Sequence, residues 1–438
     1  MTGQDLGWQH PGYWPGPWPV ECGGNRRQKH ATGRLDAHRR NASVVRSHNG
    51  RWNVMAIRRE LGEWFVSGTM AAFEGDPPYG WVQRIDPTTL EVIDDTGELP
   101  CGEHVWCGAL AAHANGSLYN VNGSYLHRID AACNVVAERR LPVDQAHNGL
   151  LIMSDGTIVT KDLRLEGHGP STLTRLDPAT FELIHQPISL PEPSMGRIAS
   201  DLTDRGEAIY IPGTTRVFRL WVESDGLRLD TEWQPAYRRD GSQGLAWDSC
   251  LSDGTAWIMD NGDIAGVRTI FDHHPNGRLS EPNRGRLSWQ NPAPWDGPQR
   301  LLKVSIATGE VQEAAPLDHP GGGIIAPPIH VRSNKTVVYW DSINGGIAGL
   351  DDETLELRWS LDIRPTMQPV VYADSGELVI NDFTEARSDD LVVIDTNDGR
   401  LLDRVEIGSP LANGMFLSPG DDRDVYYCST LTLARVAW

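Results

Sequence analysis

A turn-forming pair of residues, usually containing glycine, recurs along the chain from Leu61 almost to its last residue. In the clearest unit, two apolar runs flank such a turn within Ala146–Asp162, and two more runs follow within Ser171–Leu190. Alternating apolar runs separated by turn residues predict antiparallel strands joined by hairpins. The recurring turns are Leu61-Gly62, Asn115-Gly116, Asp155-Gly156, Arg205-Gly206, Asp253-Gly254, Asn334-Lys335, Ser375-Gly376 and Pro419-Gly420.

Units of four antiparallel strands, repeated at a spacing of about 40–50 residues, are typical of β-propeller blades. No long run with helical periodicity interrupts them, so we expect an all-β fold rather than a βα architecture. The eight turns predict eight blades. Seven blades is the alternative, because the first and last units are the least regular. The last unit has only three strands before Trp438, and we expect its fourth near Ala42–Val45, where it would close the ring and remove a sheet edge.

The second half of each unit contains a further repeated pattern, read as "RIDPTTLEVI", "RLDPATFELI", "KVSIATGEV" and "VIDTNDGRLLDRVEI". These segments resemble the repeats of the PQQ-like (quinoprotein alcohol dehydrogenase-like) propeller superfamily. The resemblance covers roughly Arg51 to Trp438 at the level of the repeat, and it implies the fold. The chain contains no catalytic motif of that family, and the adjacent cysteine pair of many quinoprotein alcohol dehydrogenases is absent.

Two segments do not fit the repeat. Residues 1–47 form an N-terminal arm that is rich in Trp, Pro and Gly and then basic, and residues 48–438 form the predicted propeller. We expect an extended arm, either partly disordered or laid on the acidic propeller surface; the alternative is an arm covering the funnel mouth or a neighbouring subunit. The second segment is an insertion at about 262–297, which we interpret as an ordered lid. Its His273-His274 pair is a poor metal site, because adjacent side chains diverge in an extended chain.

Charge and composition exclude several classes of partner. The net charge of −20 at pH 7 repels phosphate backbones and anionic lipids, so we expect neither nucleic acid nor a membrane surface as a partner. The longest apolar runs are far too short to span a bilayer, and the first 18 residues lack the features of a secretory signal. The six cysteines match no zinc-site spacing and are typical of thiols in a reducing compartment. We therefore expect a cytoplasmic protein; its oligomeric state is not indicated.

One position, seven residues after the first residue of each turn, is acidic in most units. It closes the second strand and faces the loop leading to the third. One interpretation is turn chemistry, in which each carboxylate accepts backbone N–H bonds. The other is a ring of carboxylates that binds a divalent metal ion or supplies a paired acid and base, with Asp260 and Asp341 as the favoured catalytic residues. The residues at this position are Asn122, Asp162, Pro212, Asp260, Asp341 and Asp382.

Polar residues that break the repeat indicate a site more sharply than those that follow it. Where the innermost strand begins, most units carry a small or apolar residue, but two carry His147 and Arg197. His104 precedes another such position, and His330 lies within an innermost strand. We expect His147 and His104 to act as acid–base groups or metal ligands, and Arg197 to bind an anionic group. We also predict that the substrate contacts His330 and three tryptophans, Trp106, Trp247 and Trp340.

These residues favour an intracellular enzyme that acts on a small organic molecule in the central funnel. His/Asp acid–base or metal-assisted chemistry would suit a lyase, hydrolase or isomerase, and a divalent metal ion is the one cofactor that the residues suggest. The metal ligands would come from His147, His104 and the repeated aspartates. The alternative is a non-catalytic platform that binds proteins through apolar patches on its rim, and a quinoprotein-like oxidoreductase is the third possibility.

Overall fold

The structure is a computed structural model that describes residues 10–70, 78–104, 106–164, 169–238, 244–263, 299–317, 327–342, 345–383, 388–409 and 414–438. Within these ranges the regular structure is β-strand, apart from three short 3-10 helices at Glu21–Gly23, Ala37–Arg39 and Arg332–Asn334. No helix in this part of the chain is long or apolar enough to cross a bilayer. The predicted insertion at 262–297, with His273 and His274, lies almost wholly outside the described residues.

The described residues contain thirty-three strands, numbered here in chain order. Two precede the first blade, β1 (His30–Ala31) and β2 (Ser43–Ser47). Blades 1 to 4 contain β3 (Trp52–Arg58), β4 (Trp64–Thr69), β5 (Gly80–Ile85), β6 (Val92–Asp95), β7 (Cys107–Ala112), β8 (Leu118–Asn122), β9 (Tyr125–Ile129), β10 (Val135–Arg140), β11 (His147–Ile152), β12 (Ile158–Asp162), β13 (Thr172–Leu176), β14 (Ile188–Ser189), β15 (Ala199–Thr203), β16 (Gly206–Pro212), β17 (Val217–Glu223) and β18 (Gly226–Leu229).

Blades 5 to 8 contain the remaining strands. These are β19 (Gly244–Ser252), β20 (Thr255–Asp263), β21 (Arg300–Ser305), β22 (Val311–Ala314), β23 (Ile329–Val331), β24 (Thr336–Trp340), β25 (Ile347–Asp351), β26 (Leu357–Leu361), β27 (Val370–Tyr372), β28 (Glu377–Phe383), β29 (Asp389–Asp395), β30 (Leu401–Ser409), β31 (Gly414–Pro419), β32 (Asp424–Ser429) and β33 (Leu433–Ala437).

The strands form eight sheets, each built around four antiparallel strands, which confirms an eight-bladed β-propeller. Burial follows the position of a strand in its blade. Every residue of β8, a second strand, is buried, whereas β10, the outermost strand of the same blade, alternates between exposed and half-buried residues. The apolar core lies between the blades: the ring of Trp64 in blade 1 stacks on Tyr426 in blade 8, with their centroids 4.1 Å apart.

The ring closes through the N-terminal side of the chain, as the incomplete last unit predicts. Strand β2 pairs with β33 in antiparallel register from Ser43 opposite Ala437 to Ser47 opposite Leu433, and it becomes the outermost strand of blade 8. Arg46 also donates hydrogen bonds to the carbonyl oxygens of Ile407 and Glu406 in blade 7. The last blade therefore has a full complement of strands and no unpaired outer edge on β33.

Residues 10–37 of the arm lie inside the ring and not on its outer surface. They make at least one hydrogen bond to each of the eight blades. Those in blades 1 to 3 end at Arg58, Ala112 and Ile152, which are the last residues of β3, β7 and β11. Further on, β1 pairs with β27 in parallel. The partners in the other blades are Ser200, Leu251, His330, Val371 and Arg423.

The polar groups of the arm form hydrogen bonds inside the ring, and these bonds stabilise the arm there. Lys29 is fully buried and donates to the carbonyl oxygen of Pro327 (3.2 Å), and Gln28 donates to that of Leu251 (2.6 Å). Backbone and side-chain polar groups in such a position would be costly to bury without these bonds. The arm thus occupies the central channel near the ends of the innermost strands, while the starts of those strands lie at the opposite end.

Candidate ligand site at the propeller axis

Arg197 stands just before the innermost strand of blade 4, and its backbone is pressed against blade 5. A Cβ on the neighbouring Gly196 would lie 1.4 Å from the carbonyl oxygen of Trp247, so only glycine permits this approach. The N–H of Arg197 donates to Oδ1 of Asp248 (2.5 Å), a buried residue of β19. This contact fixes the loop and therefore the point from which the Arg197 side chain extends.

The guanidinium of Arg197 lies at the propeller axis. Its central carbon is 5.0 Å from the ring centroid of Phe416 in blade 8, directly across the ring, and 6.0 Å from that of Trp106, which precedes blade 2. A side chain from blade 4 can approach both blades only at the centre of the ring. Trp106 is itself held in place, because its Nε1 donates to Oδ1 of Asn148 in blade 3 (3.0 Å). The two rings and the cation form a partly aromatic site.

The arm supplies the counter-ions and a second cation beneath Arg197. Oε1 of Glu21 is 3.0 Å from Nε of Arg197 and 2.6 Å from Nη1 of Arg27. Nη2 of Arg27 in turn donates to Oδ2 of Asp248 (3.0 Å). None of these four side chains exposes more than 2% of its surface. Such a buried group of two cations and two carboxylates is stable only when its members are paired with one another.

Four polar atoms of this group have no hydrogen-bond partner among the described residues: Nε and Nη2 of Arg197, Nε of Arg27 and Oε2 of Glu21. All belong to residues that are 2% exposed. A buried donor or acceptor without a partner costs free energy, so each atom needs a bound molecule or a water to complete it. The axis therefore offers charged donors and one charged acceptor to a ligand.

His147 begins the innermost strand of blade 3, beside the Arg197 loop. Its Nδ1 faces the carbonyl oxygens of Gln145 (3.0 Å) and Gly123 (3.2 Å), so this nitrogen carries the proton. Nε2 has no partner among the described residues. Burial lowers the pKa of His147 to about 4, so the imidazole is neutral at pH 7 and Nε2 keeps its lone pair. It can accept a proton or a hydrogen bond.

Lys161 connects His147 with the Arg197 loop. Its ammonium donates to the carbonyl oxygens of Asp162 (2.9 Å) and Ser194 (2.8 Å), and it is fully buried. Burial lowers the pKa of Lys161 to about 8, and the nearby charge of Arg197 contributes to this shift. The charge of Lys161 likewise contributes to the low pKa of His147. The structure thus brings His147, Lys161 and Arg197 into one electrostatic neighbourhood.

The repeated aspartates lie at the same end of the propeller, but each bonds within its own blade. Asp162 accepts from the N–H of Thr172 and pairs with Arg164. Asp382 accepts from the N–H of Arg364 (2.8 Å) and from Nη2 of Arg404 (2.6 Å). Each accepts a backbone N–H, but the donors Thr172 and Arg364 lie 10 and 18 residues away in sequence, outside the strand-exit turn, so both interpretations of this position stay predictions.

The two aspartates favoured for catalysis are also tied to their own blades. Asp260 is fully buried between Nη2 of Arg238 (2.9 Å) and Nη2 of Arg300 (2.8 Å). Asp341 is fully buried. Its backbone N–H donates to the carbonyl oxygen of Gly346, and its carbonyl oxygen accepts from the N–H of Gly345. Within the described part of the chain, no three His, Cys, Asp or Glu side chains come close enough to hold a metal ion. The metal site stays a prediction.

His330 lies at the other end of the channel. Its Nδ1 faces Oγ of Ser252 (2.9 Å), its Nε2 faces Oδ2 of Asp352 (2.8 Å), and its carbonyl oxygen is bonded to His30 of the arm. Both ring nitrogens therefore have partners that join blades 5 and 6. The structure does not bring His330 together with His147 and Arg197.

The other predicted residues are scattered around the site. His104 is half-buried in the turn before Trp106, and its carbonyl oxygen lies against Gly123. Trp247 is buried beside Asp248, behind the Arg197 loop. Trp340 is buried in the apolar core that blades 5 to 7 share.

The sequence did not lead us to expect that the arm contributes residues to the site, or that an aromatic residue lies across the ring from Arg197. Glu21 precedes a basic stretch within an otherwise Trp-, Pro- and Gly-rich segment, and this lone carboxylate was a usable signal. Phe416 gave no signal, because a large apolar residue in an innermost strand is ordinary core. Lys161 did give one, since a lysine inside a strand buried on both faces needs partners.

The chain matches no protein-family model, and a search of curated proteins finds no match. Its fold resembles solved propellers. BamB from Moraxella catarrhalis has a TM-score of 0.54 at 13% identity, covering 91% of this chain and 98% of that one. The Dos1 propeller has 0.59 at 10% identity, covering 90% and 94%. Virginiamycin B lyase from Staphylococcus aureus has 0.46 at 13% identity, covering 77% and 96%. At these identities the likeness concerns the β-propeller fold alone.

Proposed function

We propose that the protein is an enzyme that binds a small organic anion at the propeller axis and acts on it by acid–base chemistry. The observation that carries the proposal is the Arg197 guanidinium, which is buried at the axis between Trp106 and Phe416 with Nη2 unpartnered among the described residues. Arginine with a free edge binds carboxylates and phosphates by charge-assisted hydrogen bonds. Aromatic walls around a single charged anchor are typical of sites for small organic molecules.

In this proposal His147 is the proton acceptor. Its Nε2 is unprotonated at neutral pH and unpartnered among the described residues. An imidazole with a pKa near 4 is a weak base in the free protein. Negative charge that develops on the bound substrate would raise that pKa and allow the ring to hold the proton through the reaction. Proton abstraction of this kind suits a lyase, hydrolase or isomerase, and His104, Asp260 and Asp341 stay predicted contributors.

The anchor is tested by titrating the protein with small carboxylates and phosphate monoesters, measuring the thermal midpoint and the heat of binding. We expect at least one to stabilise the wild type and to lose this effect in Arg197→Met. Arg219→Met is the matched control, because Arg219 also lies over two tryptophan rings (5.0 and 4.8 Å) but is paired with Asp230 and is remote from the axis. A panel with no effect on the wild type would overturn the proposal.

The chemistry is tested on the ligand that binds most tightly, by following its conversion with nuclear magnetic resonance. We expect His147→Ala to abolish turnover while the ligand still stabilises the variant, because the anchor on Arg197 is intact. Turnover that is equal in wild type and His147→Ala would remove His147 from the mechanism. Binding without turnover in the wild type would leave a ligand-binding protein rather than an enzyme.

A protein-binding platform is the second candidate, favoured by apolar residues on the rim. Val92 and Ile93 in β6 are each 51% exposed, and Val135 and Val136 in β10 are 42% and 51% exposed. These are the outermost strands of neighbouring blades. Exposed apolar residues that lie together on a surface often mark a protein interface. This hypothesis predicts a protein partner whose binding is lost in Val136→Asp. The control is Leu61→Asp, at a 78%-exposed residue in the turn between β3 and β4, and this variant should keep binding.

A further inference from the structure

Two of the unpartnered atoms at the axis, Oε2 of Glu21 and Nη2 of Arg197, are close neighbours. Oε1 of Glu21 and Nε of Arg197 are 3.0 Å apart. The second oxygen of a carboxylate lies about 2.2 Å from the first, and Nη2 of a guanidinium lies about 2.3 Å from Nε, so the unpartnered Oε2 and Nη2 are within about 8 Å of each other. A single small head group can therefore reach both.

An anion alone would complete only half of this pair. It would accept from Nη2 of Arg197, but it would also bring a negative charge close to Oε2 of Glu21, which has no donor among the described residues. Repulsion between two buried negative charges is strong, because little water is present to screen it. A ligand that carries a protonated donor next to its anionic group avoids the repulsion and completes both atoms.

We infer that the ligand is an α-amino acid or a close derivative, whose carboxylate binds Arg197 and whose ammonium binds Glu21. The inference rests on the proposed function, since it specifies the ligand of the same site. The carboxylate oxygen and the ammonium nitrogen of an α-amino acid are about 3 Å apart, and two charge-assisted hydrogen bonds of about 2.8 Å allow the head group to bridge a separation up to the limit of about 8 Å. Trp106 and Phe416 lie beside this head group and suit an apolar or aromatic side chain.

Glu21 is then a specificity-determining residue that the arm contributes to the site. The arm therefore has a role in binding as well as in filling the channel, because Glu21 is the residue that would favour amino acids over acids without an ammonium group. Arg27 holds the Glu21 carboxylate in place by its bond to Oε1, which leaves Oε2 for the ligand. The site would be incomplete in a propeller that lacked these residues.

The experiment is a calorimetric titration with four matched probes: L-phenylalanine, L-3-phenyllactate, 3-phenylpropionate and phenethylamine. A second set built on L-leucine repeats the comparison for an aliphatic side chain. In the wild type we expect the amino acid to bind about tenfold or more tightly than its hydroxy and deaminated counterparts, and the amine to bind weakly. In Glu21→Gln we expect this preference to fall to near one, while the deaminated acid binds at least as well as before.

The matched control is Asp201→Asn, which breaks another ion pair between arm and propeller, that of Asp201 with Arg26 (2.6 Å), away from the axis. It should keep the preference for the amino acid. Deaminated or hydroxy acids that bind the wild type as tightly as the amino acids would overturn the inference and leave the proposed function standing. The absence of binding for every amino acid and acid in these sets would overturn the inference, and the proposed function would fall with it only if the panel of small carboxylates and phosphate monoesters also had no effect. If Glu21→Gln does not fold, the ranking of the probes on the wild type decides alone.

Discussion

Gly196 controls how close the blade 4 loop comes to blade 5, and with it the position of Arg197. We predict that Gly196→Ala lowers the free energy of unfolding by roughly 3 kcal/mol or more, because its Cβ would lie 1.4 Å from a backbone carbonyl oxygen that cannot move freely. Ligand binding should weaken as well. The measurement is chemical denaturation of Gly196→Ala and of the control Gly33→Ala, each compared with the wild type.

Gly33 is a fair control because its φ is +81° and no atom lies within 4 Å of the Cβ that would be added. That substitution should cost only the left-handed backbone penalty, about 1–2 kcal/mol. If the two alanine variants lose the same amount, the close contact at Gly196 is not what constrains the loop.

Asp389 is the buried carboxyl group whose ionisation should be visible in the stability of the fold. It lies at the start of β29, where it accepts from the hydroxyl of Tyr427 (2.5 Å) and the amide of Asn381 (2.9 Å). Burial raises the pKa of Asp389 to about 7, and the nearby carboxylates of Asp390 and Asp382 add to the shift, against the effect of the two hydrogen bonds.

The raised pKa of Asp389 predicts how stability changes with pH. The native state binds its proton more tightly than the unfolded chain, so this contribution is complete below about pH 4 and is lost as the pH rises through 7. In the wild type this loss of stability amounts to about 4 kcal/mol. Asp389→Asn should lack it. The measurement is urea unfolding of both proteins from pH 4 to 8.

Asp390→Asn is the control for the pH experiment. Asp390 adjoins Asp389 but is paired with Arg404 (2.9 Å). That variant keeps Asp389 but removes a charge that adds to the pKa shift of Asp389, so its stability should still fall between pH 4 and 8, by less than in the wild type. A pH profile of Asp389→Asn that parallels the wild type would show that Asp389 does not titrate in this range.

At the scale of elements, the arm is anchored by Arg27, which bonds both Glu21 and Asp248. Arg27→Met removes one partner from each of these two buried carboxylates, so we predict a loss of about 3–5 kcal/mol in the free energy of unfolding. Arg34→Met should cost far less, because the side chain of Arg34 is 53% exposed and its ion pair with Asp36 is screened by solvent.

The double variant Glu21→Gln/Arg27→Met separates an ion pair from simple packing. It removes a charge of each sign, so its loss should be smaller than the sum of the two single losses. Additive losses would mean that Glu21 and Arg27 stabilise the arm independently.

The strands of each blade were predictable because the signal is local: each turn and its flanking apolar runs lie within a few tens of residues. The channel and its site were not, because Glu21 and Arg197 are far apart in the chain and only the closed ring brings them together. Interruption of the repeat correctly drew attention to Arg197 and His147 as neighbours. The same signal at His330 carried no information about which end of the channel the residue occupies.

For the whole molecule, the contacts of the arm with all eight blades predict that it stays bound without its covalent link. A protease site placed in the exposed stretch 38–41 would separate the arm from β2. We expect the cleaved arm to elute with the propeller in gel filtration under native conditions and to leave only when the protein unfolds. Mass spectrometry of the eluted fractions identifies both pieces. Early separation of the arm would contradict a role as a fixed part of the channel.

The position of the arm has a consequence for how the protein is made. Residues 10–47 leave the ribosome before any strand that they contact, and Ser43 must wait for Ala437, 394 residues later. Until Pro327 and Val371 are made, the buried Lys29 lacks its partners in blades 6 and 7. Contacts of such long sequence separation form slowly and leave the nascent chain open to association with other chains. Synthesis of the last blade therefore encloses an arm that was made before every blade it contacts.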